Sequence, residues 1–299
     1  MTFFATETSE ALAFRSGEID VDPSVSNPKS FAAESGATIV TAESCGTGWF
    51  DMNVTQPGWN DVHVRRAVAY ALNRTDIIAA AGGYAAPMYT MTPPSLLRSI
   101  ASQAQIDALL ASLPLYQYNL AKARQEMAAS AYPHGFTATI VSSNDATSLN
   151  ENQVAAAELA KIGIRLQVKS IAETASQALD TGPATQRPTG MSGGGCFQPD
   201  PNTYSDFLGR NNLAAGSWNM ADYAPPEVDT LLAQGEATSS PAERFAVYSK
   251  LFQKLQKDVP YVGLYVQDST GAISPKFKWP DYSPWWWDEA YTLGIRPAT

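Results

Sequence analysis

Behind Asp61, the apolar residues Val64, Ala67, Val68, Ala71 and Leu72 recur at helical spacing and form one stripe that must pack on something. The Asp61 carboxylate can accept from the free amides of the first turn, where negative charge also suits the helix dipole. Arg65, Arg66 and Arg74 fall off or beside the stripe, and on pattern alone they read as solvated or salt-bridged surface charges.

The same reading covers most of the chain. Residues 2–5 predict a strand, 9–16 a helix stopped by Gly17, and 19–21 a second strand, together a β-α-β unit. Strands follow at 38–41 and 49–54, set apart by Gly46 and Gly48. Residues 82–94 have no period and read as an irregular surface loop. Asn119 caps a helix with Leu120, Ala123 and Met127 on one side, ended by Pro133 and Gly135, and 136–141 is a strand. Asn150 and Gln153 suggest a capping box for a helix ending at Ile162 and Gly163. Ile164, Leu166 and Val168 then alternate with Arg165, Gln167 and Lys169, the mark of a half-buried strand. Strand, helix and strand at this spacing predict a parallel, right-handed crossover, so the class is α/β.

Residues 182–195 read as a glycine-rich loop. Pro225 and Pro226 open a helix carrying Val228, Leu231 and Leu232. Ser240, Pro241 and Glu243 suggest a capping box for a helix burying Phe245, Tyr248, Leu251, Phe252 and Leu255. Pro260 closes it and 261–266 is a strand. Trp285, Trp286 and Trp287 near the end read as aromatics covering a core edge.

At 299 residues the chain can bury a full core, and a net charge of −9 argues against a nucleic-acid partner. No run approaches the ~18 apolar residues of a membrane span, and residues 1–20 lack the basic start and apolar middle of an export signal. Cys45 and Cys196 have no CxxC spacing and fit either one disulfide or two buried thiols. With only two histidines a zinc site is not expected.

Gly190-Met191-Ser192-Gly193-Gly194 matches the G-x-S-x-G pattern of a nucleophile elbow, but His63 and His134 both precede the serine and no strand is evident before it. Neither histidine has a flanking carboxylate or ligand, and both read as exposed and silent. Phosphate-binding glycine motifs are absent from the sequence, so no cofactor is expected.

Several segments, in order, resemble one family. Asn53, a turn at Pro57, Asp61-Val62-His63-Val64-Arg65-Arg66-Ala67 and Ala71-Leu72-Asn73-Arg74 through Ile77 are similar to the signature of the family 5 extracellular solute-binding proteins, the oligopeptide, dipeptide and nickel receptors of bacterial ABC importers. Gly17-Glu18-Ile19-Asp20, Tyr118-Asn119-Leu120-Ala121-Lys122-Ala123, Ala160-Lys161-Ile162-Gly163-Ile164 and Tyr223-Ala224-Pro225-Pro226-Glu227-Val228-Asp229 resemble further family segments, as do Arg244, Tyr248, Asp258, Pro260, Leu264 and Tyr265.

The resemblance implies a type II periplasmic binding protein-like α/β fold, with one nearly complete lobe and part of the other. Residues 1–52 would belong to the first lobe, 53–262 to the second, and 263–299 would return to the first. It implies a monomeric, periplasmic or extracytoplasmic receptor that delivers a peptide-like or other small solute to membrane permeases and does no catalysis. Family members are longer at the N-terminus, which implies a fragment or a half-receptor.

By the same mapping Trp49, Phe50, Cys196, Phe197, Gln198, Trp218 and Asn219 would line the ligand site, with only one of Trp49 and Phe50 able to face it. A disulfide between Cys45 and Cys196 is also implied. Phe197 stands about where peptide receptors carry an acid for the terminal amine, so free-amine peptides are not the expected ligands; Asp200 reads as structural. The competing readings are a serine hydrolase using Ser192 and an inactive receptor fragment.

Overall fold

The computed structural model describes residues 4, 6–25, 27–194, 200–286 and 290–298. The chain divides into a smaller unit, residues 1–46, 82–86 and 266–299, and a larger one, residues 47–81 and 87–265.

In the smaller unit α1 (Glu7–Ser16) is capped by Thr6 and ends at Gly17, whose φ of 78° is left-handed. It is followed by β1 (Val21–Asp22) and α2 (Pro28–Ser35). The strand expected at 2–5 lies mostly outside the described residues. Phe14 and Phe31 meet edge to face at 5.6 Å in a core with Ala11, Val25 and Ala272.

β2 (Thr38–Asp51) runs from the smaller unit into the larger as one strand, where the glycines suggested two. Gly48 does not break it. A Cβ there would lie 2.2 Å from Tyr265 Cζ, so the glycine admits a close neighbour rather than a turn.

In the larger unit α3 (Val62–Ala71) starts at Asp61, which accepts from His63 N at 2.8 Å, and α4 (Arg74–Ala80) starts at Asn73. The surface reading is overturned for two of the three arginines. Arg65 and Arg74 are buried, at 6% and 3% exposure. Arg65 donates to Asp258 O at 2.7 Å and Trp59 O at 2.8 Å, while Arg74 donates to Met88 O, Gly263 O and Tyr116 O. Half-buried Arg66 reaches Lys257 O. Main-chain carbonyls of several segments supply the acceptors, so these guanidiniums tie the unit together.

The stretch read as a surface loop contains β3 (Ala85–Pro87), paired with the strand that starts at Tyr261, and Met88, Thr90, Met91 and Thr92 are buried. Helix α5 (Gln103–Ala111) follows a 3₁₀ turn, and α6 (Leu120–Ala129) is capped by Asn119 and packs on α3. β4 (Phe136–Ser143), α7 (Ala146–Ala160) and β5 (Ile164–Ile171) form the expected crossover, with the two strands parallel. α7 begins at Asp145, not Asn150, because Asp145 accepts from Ser148 N at 2.8 Å one turn earlier.

After α8 (Glu173–Asp180) the glycine-rich segment is a loop with one 3₁₀ turn only as far as Thr189; β6 (Gly190–Gly194) then pairs antiparallel with β2, from Thr47↔Gly194 to Asp51↔Gly190. A short α9 (Tyr204–Phe207) leads to α10 (Pro226–Ala237) and α11 (Pro241–Asp258), which pack together. Ser240 holds the N-cap position of α11 without a side-chain cap bond, so the expected capping box is not formed. β7 (Tyr261–Ile273), longer than expected, lies between β1 and β2 and returns the chain to the smaller unit. There β8 (Phe277–Lys278) pairs with β9 (Arg296–Pro297). Trp279, Tyr282, Trp286 and Tyr291 pack with Ile273, as the aromatic tail suggested, whereas Trp285 is 40% exposed and Trp287 lies outside the described residues.

Candidate functional site

A cavity of about 230 Å³ opens in the larger unit. β2 supplies Trp49 and Asp51, which share a face because side chains alternate along a strand. Pro188, Thr189 and Gly190 lie alongside. The end of β4 and the start of α7 bring Val141, Ser143, Asp145 and Ser148, and α8 adds Glu173, Ser176, Gln177 and Asp180. Phe207, Trp218 and Met220 close the other side.

The aromatic members differ in burial. Trp49 is 1% exposed, its Nε1 donates to Met91 O at 2.6 Å, and its ring meets Phe207 and Tyr261 edge to face. It is a rigid wall. Trp218 is 50% exposed, so part of its side chain is open to solvent.

The cavity is acidic. Asp51, Asp145, Glu173 and Asp180 line it, and no Lys, Arg or His is among its described lining residues. Burial works against ionised Asp145, but the Ser148 amide and hydroxyl outweigh it and hold the carboxyl below its usual range, at a helix start that also favours the anion. Burial pushes Asp180 up to about 6, against the opposing field of Arg187. Arg187 itself is 0% exposed and spends its donors on main-chain carbonyls and a serine hydroxyl, so it offers nothing to an anion in the cavity. Acidic groups beside aromatic faces can hold a cation.

Of the residues implied by the family resemblance, Trp49 and Trp218 come together at this cavity. Phe50 is fully buried on the opposite face of β2 against Trp59. Asn219 is fully buried, with its amide donating to Gly209 O and Tyr223 O and accepting from Tyr223 N, so it holds its own loop. Cys196, Phe197 and Gln198 lie outside the described residues, as does the side chain of Cys45, and with them the implied disulfide. Nothing in the spacing singles out Asp51, Glu173, Asp180 or Arg187. For Asp145, the serine three residues on is a readable cap signal.

The nucleophile-elbow reading finds no support among the described residues. Ser192 sits within the β2–β6 ladder opposite Trp49, not on a strand-to-helix turn. His63 is not silent, since its Nδ1 lies 2.7 Å from Glu126 Oε2, yet this pair is on α3 and α6 and does not line the cavity. His134 is exposed in its turn. Among the described residues no group of three or more His, Cys, Asp or Glu is placed to hold a metal ion.

The glutathione-binding protein GsiB of Escherichia coli strain K12 is 28% identical over 233 residues, covering 76% of this chain and 43% of that protein. The periplasmic binding protein DppA of Helicobacter pylori, solved with the peptide STSA, superposes with a TM-score of 0.77 at 25% identity, over 94% of this chain and 53% of its own. The oligopeptide-binding protein AppA of Bacillus subtilis, solved with a nonapeptide, gives 0.74 at 19% identity, over 99% of this chain and 59% of its own. The chain thus spans about half the length of the relatives it matches. Its fold is that of the type II periplasmic binding proteins. The sequence model of bacterial extracellular solute-binding proteins, family 5 Middle, matches residues 1–215, and the chain belongs to that family of binding proteins.

Proposed function

We propose that the chain is part of the solute receptor of an ABC importer, acting outside the cytoplasm as a single copy, and that its two units belong to the two lobes of that receptor. It captures a small solute for membrane permeases and performs no chemistry. The solute carries positive charge, as a basic peptide does. The observation that carries this reading is the cavity beside Trp49 and Trp218, lined among the described residues by four acidic side chains and no basic one. GsiB is named as a glutathione-binding protein and DppA was solved with the peptide STSA, which supports a peptide-sized solute. The expectation that an amine lacks a partner rested on Phe197 alone; Asp145, Glu173 and Asp180 supply carboxylates from other elements.

Trilysine, trialanine and triglutamate separate the possibilities. Trilysine should raise the melting temperature and change tryptophan emission, while the other two should do neither. Equal or better binding of triglutamate sinks the assignment of charge. Hydrolysis of any of the three, lost in Ser192→Ala, sinks the receptor reading.

A further inference from the structure

Trp218 belongs to a stretch, residues 208–225, whose only regular element is the 3₁₀ turn Arg210–Asn212. A segment without helix or strand bonds must be ordered by other contacts, against its conformational entropy. Asn219 ties Gly209 to Tyr223, and Arg187 supplies the contacts around Trp218. Its Nε donates to Gly182 O at 3.0 Å, Nη1 to Asn212 O at 3.1 Å and Asn219 O at 2.7 Å, and Nη2 to Ala214 O at 2.8 Å and Ser217 Oγ at 3.3 Å. Those contacts use every N–H that a guanidinium possesses.

Two acceptors, Ser217 Oγ and Asn219 O, belong to the residues on either side of Trp218. The Arg187 carbonyl in turn accepts from Asn53 Nδ2 at 3.1 Å and Gln56 Nε2 at 3.2 Å, anchoring the arginine to the turn that precedes α3. Arg187 does not line the cavity, but its neighbours Pro188, Thr189 and Gly190 do. One buried side chain thus joins two walls of the cavity.

We infer that Arg187 is the positioning residue of this site: its guanidinium fixes Trp218 at the mouth of the acidic cavity and so sets the affinity for solute. The affinity part rests on the proposed function; the positioning part does not. A lysine cannot replace it, because one ammonium offers three donors from a single point where five diverging donors are needed.

The test compares Arg187→Lys with the parent chain in three measurements. Amide exchange across residues 209–223 should quicken by about tenfold or more while α10 and α11 keep their protection. Acrylamide quenching of Trp218, isolated by difference against Trp218→Phe, should increase. Trilysine affinity should fall by about tenfold. Unchanged exchange and quenching would overturn the inference, as would an equal loss of protection in α10 and α11, which would make Arg187 a general support. Should trilysine fail to bind the parent chain, the solute reading fails while exchange and quenching still decide the role of Arg187. If Arg187→Lys does not fold, Ser217→Ala removes one acceptor at a half-buried position. It should quicken exchange in the same segment by a few fold, and no change there would equally overturn the inference.

Discussion

The ring of Tyr265 occupies the space that a side chain on Gly48 would need. A Cβ there would lie 2.2 Å from Cζ, 2.4 Å from Cε1 and 2.7 Å from Cε2. The ring cannot swing aside freely, since its hydroxyl donates to Glu151 Oε1. Gly48→Ala should therefore cost about 1–3 kcal/mol in urea denaturation, as overpacking does. Pairing it with Tyr265→Ala should make the two changes less than additive. Simple additivity would show that the contact does not limit position 48.

Glu151 gives the fold a pH dependence of unusual sign for a carboxylate. Burial raises it, the Tyr265 hydroxyl opposes, nearby Asp145 adds to the rise, and the group stands at about 7 against an ordinary 4.5. A folded-state value above the unfolded one means that the folded chain keeps a proton the unfolded chain has lost, so stability falls as pH rises from 4.5 towards 7. The fall amounts to about 3 kcal/mol at most and is complete above 7. Urea melts at several pH values should show Glu151→Gln lacking this fall; parallel parent and variant profiles would refute it.

Solute binding should follow Asp180. A bound cation lowers the pKa of a neighbouring carboxyl, so binding releases a proton near pH 6, and trilysine affinity should rise through that range and level off above about 7. Asp180→Asn should lose about tenfold in affinity at pH 7.5 and flatten the profile. Calorimetric titration at pH 5, 6 and 7.5 checks both, and a variant profile as steep as the parent's would remove Asp180 from the site.

The two cavity tryptophans should separate stability from binding. Trp49→Ala removes a fully buried ring and its Nε1 bond to Met91 O, at a cost of about 3–5 kcal/mol. Trp218→Ala, half exposed, should leave stability within about 0.5 kcal/mol and weaken trilysine binding several-fold. Thermal melts and fluorescence titrations on both variants decide this. Unchanged binding by Trp218→Ala would place the solute elsewhere.

Arg74 should prove structural despite standing in the family signature. Burial brings it down to about 10, and its donors go to three carbonyls on separate segments, beneath the Tyr89 ring 4.3 Å away. Arg74→Met should cost about 3 kcal/mol or more by leaving those carbonyls unpaired. Arg74→Lys should recover only part. A loss below 1 kcal/mol in Arg74→Met would show that the carbonyls find other partners.

Local chemistry made much of the fold legible. The α3 stripe behind Asp61, the left-handed stop at Gly17, the Asn119 cap and the β4–α7–β5 crossover depend on residues within a turn or on a period of two, and the structure contains each. Other features failed locally. Gly190 to Gly194 carries no alternation, and becomes a strand because β2 supplies a ladder for it. Gly48 resembles a break until Tyr265 is placed beside it.

The burial of Arg65, Arg74 and Arg187 lay beyond the local pattern for the same reason. A guanidinium is buried only where carbonyls converge to receive its donors, and those belong to residues as distant in sequence as Asp258 and Gly263. So too the cavity: Asp51, Asp145 and Asp180 stand on a strand, a helix start and a helix end. Family motifs and most helices are legible in the chain alone, because both are written in near-neighbour patterns. Which charges are buried braces and which line the cavity depends on the distant backbone groups each charge meets, and so on the tertiary fold.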